Sequence, residues 1–103
     1  MLSRLETLRS LVAQGTADPF PRYALAMELR TQGQFQEAWR IFEALLQSHA
    51  DYIALYAPAA ATLVSLGRNQ EARALLRQGI EQCQRKEQSH ARDQLQTALA
   101  ALE

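Results

Sequence analysis

The sequence holds one cysteine, Cys83, so no disulfide can close within its 103 residues. This excludes the small secreted scaffolds that depend on covalent staples and fits a reducing compartment. An excess of charge is also missing, since eleven Lys and Arg balance eleven Asp and Glu. So even a balance offers no broad electrostatic footprint for nucleic acid or an anionic membrane surface. No apolar run approaches a membrane span in length, and Met1-Leu2-Ser3-Arg4-Leu5-Glu6 lacks the apolar stretch of a secretory signal. A soluble, cytoplasmic protein without membrane insertion is expected.

The signatures of catalysis are missing as well. No Gly-Lys-Ser or Gly-Lys-Thr loop, dinucleotide-type glycine cluster or nucleophile elbow occurs. His49 and His90 are the only histidines, and neither has a second His or Cys at ligand spacing, so each is read as a solvated helix-end residue. Cys83 is read as a buried, inert thiol. These readings predict neither an enzyme nor a metal or cofactor site.

What is present is abundant Ala, Leu, Gln, Glu and Arg, all strong helix formers, with β-branched residues few and scattered. An all-α protein follows. The opening segment sets Leu2, Leu5, Leu8, Leu11 and Val12 at helical spacing, an apolar stripe that the next helix should cover.

An internal repeat then dominates the chain. Leu29-Arg30-Thr31-Gln32-Gly33-Gln34-Phe35-Gln36-Glu37-Ala38 matches Leu63-Val64-Ser65-Leu66-Gly67-Arg68-Asn69-Gln70-Glu71-Ala72 at a constant offset of 34. The same offset relates Ala26 to Ala60, Ile41 to Leu75, Phe42 to Leu76 and Leu46 to Ile80. One spacing thus keeps both turns and both apolar faces in phase. Gly33 and Gly67 fall where a first helix must end, and glycine tolerates the left-handed conformation that closes a helix. Asp18 before Pro19 supplies an N-cap and a residue preset for helical φ, and Asp51 is expected to cap one repeat later. Ala38 and Ala72 open each second helix's apolar stripe with a small side chain that permits close helix approach.

Beyond the second unit, Arg85-Lys86-Glu87-Gln88-Ser89-His90 is a polar break, with Ser89 as candidate N-cap of a last helix that carries Leu95, Ala98, Leu99, Ala101 and Leu102. Arg73, Arg77, Arg85 and Lys86 interleave with Glu71, Glu81 and Glu87, which predicts intrahelical pairs rather than a nucleic-acid groove. Tyr56 is expected in the core, and Trp39, at the edge of a packed stripe, is expected as an exposed anchor. Phe20, Tyr23 and Met27, at i, i+3 and i+7, form one stripe that is either a groove for a partner or a bed for the last helix.

A helix-turn-helix unit of 34 residues with this glycine, aromatic and alanine placement resembles the tetratricopeptide repeat family. Leu25, Ala26, Leu29, Gly33, Phe35, Ala38 and Phe42 match its pattern in the first unit, as do Tyr56, Ala60, Leu63, Gly67, Ala72 and Leu76 in the second. Arg22, Leu45, Ala59, Asn69 and Gly79 depart from it, and Pro58 should kink or delay the second unit's first helix. The resemblance implies an α-solenoid of two hairpins, residues 19–52 and 53–86, between an N-terminal helix in 1–17 and a C-terminal capping helix in 89–103. It further implies a module that binds a protein or peptide in an apolar concave groove. The positions it places on that face include Phe20, Tyr23, Met27, Arg30, Ala54, Ala57 and Ala61. The Lys and Asn residues with which some family members grip a terminal carboxylate are absent from them. A homodimer built through the same surface is the alternative.

Overall fold

The computed structural model describes residues 1–103 and contains six α-helices: α1 (Arg4–Ala13), α2 (Phe20–Thr31), α3 (Phe35–Ser48), α4 (Tyr56–Ser65), α5 (Asn69–Arg85) and α6 (Ser89–Leu102). A 3-10 turn, Ile53–Leu55, leads into α4. Consecutive helices pack on one another along the chain, drawing the molecule out to 43 × 28 × 20 Å. Such nearest-neighbour packing is the architecture of a helical repeat.

Local chemistry starts the first two helices. Ser3 Oγ accepts from the Glu6 amide while Glu6 accepts from the Ser3 amide, a reciprocal capping box. At α2, the Asp18 carboxylate accepts from the Phe20 amide at 2.9 Å and Pro19 already has helical dihedrals, as the Asp-Pro pair predicts.

Three hairpin turns share one geometry. The amide of Gln34 reaches back to the Leu29 carbonyl at 2.8 Å, Arg68 to Leu63 at 2.8 Å, and Gln88 to Cys83 at 2.9 Å. The residue before each donor is left-handed: Gly33 at φ 78°, Gly67 at 77° and Glu87 at 54°. This is the six-to-one closure that satisfies carbonyls orphaned at a helix end. The turn between α5 and α6 therefore repeats those inside the two 34-residue units, without their glycine.

Two expected caps are not made. Asp51 caps nothing, because the chain passes through Tyr52 into the 3-10 turn; its carbonyl instead accepts from Lys86 Nζ at 3.1 Å. Ser89 is the first residue of α6 rather than its cap, a position taken by Gln88. Pro58 delays the α-helix as expected. It lies in the first turn of α4, where its missing amide is tolerated, and the preceding turn is wound as 3-10.

The core runs the length of the stack. Ala26, Leu29, Ala38, Phe42, Leu45, Leu55, Ala59 and Ala72 are fully buried, and Leu63, Leu76 and Cys83 nearly so. Each large side chain among them contributes roughly 1.5–3 kcal/mol through burial. Leu8, Leu5 and Val12 seat α1 on this core, but Leu2 and Leu11 face solvent, so the opening stripe is narrower than its spacing suggests. α1 is also tied to α3, where Arg9 holds Glu37 in two hydrogen bonds of 2.7 and 3.0 Å, and lowers its carboxyl pKa. No helix is long and apolar enough to cross a membrane.

Candidate partner-binding site

The residues singled out from the sequence fall into two groups. On α2, Tyr23 lies 6.2 Å from Phe20, ring centre to ring centre, and meets Tyr52 edge-on at 5.8 Å. Tyr23 and Met27 are half-buried against the core, whereas Phe20 is 56% exposed. Arg30, one turn beyond Met27, makes no ion pair, and its Nε is buried without an acceptor in the chain. This group is a half-sunken aromatic and thioether ledge with a guanidinium at its far end.

The second group lies on α4. Ala54 is exposed within the 3-10 turn, while Ala57 and Ala61 line an open cavity of about 280 Å³. Its wall on the α4 side is completed by Ala60 and Val64, its floor is Leu76 of α5, and its opposite wall is Ala98, Ala101 and Leu102 of α6. Every lining residue is apolar. α6 thus makes one wall of an apolar hollow instead of lying over it.

The repeat explains why the hollow exists only there. The 34-residue offset relates Tyr23 to Ala57, Met27 to Ala61 and Arg30 to Val64. Where the first unit places an aromatic, a thioether and a long cation, the second places two methyl groups and an isopropyl group. No cavity opens beside the α2 set.

Arg73 and Arg77 of α5 secure the far end of α6. Arg73 donates to the Leu102 carbonyl at 3.0 Å and Arg77 to the Glu103 carboxylate at 3.1 Å. Cations at a helix C-terminus favour its carbonyl dipoles. These bonds run between helices, whereas the sequence pattern predicted pairs within α5. Glu71 is bound from outside α5 as well, by Arg68 at 2.6 Å.

Trp39 is not the exposed anchor expected of it. It is 8% exposed, with the Arg68 guanidinium 5.5 Å from its ring centre, in a turn 29 positions later. Tyr56 is in the core as expected, and its hydroxyl donates to the Ala50 carbonyl at 2.6 Å. Cys83 is 1% exposed, and burial pushes its thiol pKa up, opposite to the depression that activates a nucleophilic cysteine. The charged group beside it is Arg92. His49 ends α3, bonded to Ser48, and His90 lies in the first turn of α6 beside Gln94. No three His, Cys, Asp or Glu residues converge as a metal site.

The profile of the tetratricopeptide repeat family matches residues 29–102, which takes in α3 to α6 and the end of α2. The chain belongs to the tetratricopeptide repeat family. Among solved structures it is similar to a tetratricopeptide repeat domain protein from Salinibacter ruber. The solution structure of that domain is 31% identical with a TM-score of 0.80, covering 84% of this chain and 88% of the other. A crystal structure from the same organism is 30% identical with a TM-score of 0.77, covering 82% and 96%. A Bordetella parapertussis protein solved in solution is 25% identical with a TM-score of 0.85, covering 99% and 89%. No curated protein matches the chain by sequence.

Proposed function

We propose that this protein is a non-enzymatic interaction module that binds a peptide or helix of another protein along the strip formed by Phe20, Tyr23, Met27 and Arg30 of α2 with Ala54, Ala57 and Ala61 of the α4 arm. Tetratricopeptide repeats generally mediate protein–protein interaction, which supports the class of function. The observation that carries the site is the hollow at Ala57 and Ala61, lined by apolar residues alone; on the α2 part of the strip stand Arg30, without an ion pair, and the exposed Phe20. Apolar burial would supply the affinity, with Arg30 orienting an acidic group on the partner. With no excess of positive charge, the partner is a protein rather than a nucleic acid, met in the cytoplasm.

The test is comparative affinity capture from the native cell. Wild type, a Tyr23→Ala/Met27→Ala variant and a Gln78→Ala control on the exposed side of α5 are immobilised in parallel. A partner retained by wild type and control but lost by the double variant supports the strip. Equal retention by all three removes it.

A further inference from the structure

We propose that the hollow between α4 and α6 is a socket for one large apolar side chain, carried on a peptide with acidic residues beside that anchor. This rests on the interaction-module reading and adds to it the anchor's place and the partner's charge.

Size argues for a single anchor. A cavity of about 280 Å³ lined by apolar residues alone suits one Phe, Leu or Met side chain, and no side chain in it would satisfy a polar group. The molecule's own repeat shows the fit. Met27 occupies the position equivalent to Ala61 and is packed against the core, so an incoming side chain at Ala61 would restore what the first unit builds in.

Charge decides the flanks. Arg73 meets no carboxylate; its bond is to the carbonyl of Leu102, whose residue lines the hollow. Glu103 and Glu71 are held by Arg77 and Arg68, so the acidic side chains of α5 and α6 nearest that end are paired while the Arg73 guanidinium meets no carboxylate. A partner with carboxylates beside its anchor meets complementary charge, and a basic one does not. Area disfavours a second copy as occupant, because eight lining residues, five of them alanine, fall well short of the roughly 800 Å² per partner of a stable dimer.

The experiment titrates a 12-residue helical peptide, with one central Phe flanked by Glu, into the full chain, read by methyl NMR and by anisotropy of a labelled copy. Expected are saturable shifts at the Ala57, Ala61, Ala98 and Leu102 methyls. Binding should weaken at least tenfold with Phe→Ala or with Lys flanks in the peptide, at least tenfold in Ala61→Met, and several-fold in Arg73→Gln with a flatter salt dependence. Thermal melts of both variants verify folding, and the Ala61→Met side chain has a precedent at Met27. Absence of binding, or equal binding by Ala61→Met, overturns the socket. If Tyr23→Ala/Met27→Ala alone abolishes binding, the socket fails and the groove stands. Concentration-dependent dimerisation of wild type that Ala61→Met abolishes would contradict the peptide occupant in favour of a second copy.

Discussion

Gly79 of α5 lies against Tyr56 of α4 so closely that a β-carbon on it would stand 2.8 Å from Tyr56 Cγ and 2.9 Å from Tyr56 Cβ. Leu95 Cδ1 of α6 closes the same space at 2.9 Å. Three helices therefore meet at one glycine, within the unit whose small residues also leave the apolar hollow. Alanine at 79 would gain about 1 kcal/mol of helix propensity. The contacts with Tyr56 fall at the root of its side chain, which cannot swing away, so overpacking should dominate. Gly79→Ala is expected to lose on the order of 1–3 kcal/mol in urea unfolding. A stabilised variant would show that α6 is not packed as described.

Glu87 holds the left-handed place that Gly33 and Gly67 fill in the other two turns. A non-glycine residue there is strained by about 1 kcal/mol or more, and Glu87 makes no ion pair in return. Glu87→Gly should raise stability by about 0.5–1 kcal/mol, measured by the same urea unfolding. A loss would mean that the turn depends on the Glu87 side chain.

Alkaline pH should loosen the protein through two groups. Burial raises the Cys83 thiol pKa, and burial together with the nearby Asp51 charge raises that of the Tyr56 phenol. Each group keeps its proton longer in the folded chain than in the unfolded one. The stability this provides is whole below the ordinary values of 9.0 and 10.0 and is lost as pH climbs from there through the raised folded values. A series from pH 8 to pH 11 should show falling denaturation midpoints, with a shallower fall in Tyr56→Phe and Cys83→Ala. Tyr56→Phe should also lose about 1 kcal/mol at neutral pH, with its bond to the Ala50 carbonyl.

The repeat, the α2 cap, the delayed start of α4 and the burial of Tyr56 could be read from sequence, because each is set by neighbours within one turn or by helical spacing and the 34-residue period, and the burial of Cys83 follows the general habit of free cysteines. The failures have the opposite character. Asp51 is drawn to Lys86, 35 positions away, and Trp39 is buried beneath Arg68, 29 positions away, neither visible in a local pattern. Gly79 reads only as a departure from the repeat until Tyr56 and Leu95 arrive beside it. The hollow has a faint signal, in hindsight: Ala57 and Ala61 four apart on one helix, and Ala98 and Ala101 three apart on another. Small residues at that spacing mark close packing as often as a gap, so only the placement of α6 decides between them.

The most direct test of the strip is site-specific photo-crosslinking in the native cell, with a benzoylphenylalanine at the exposed position 54, beside the hollow but outside its lining, in one version of the protein and at the exposed position 78 in another. The account predicts a discrete crosslinked partner from position 54 and none from position 78. A partner captured from position 78 alone, or equally from both, would contradict it.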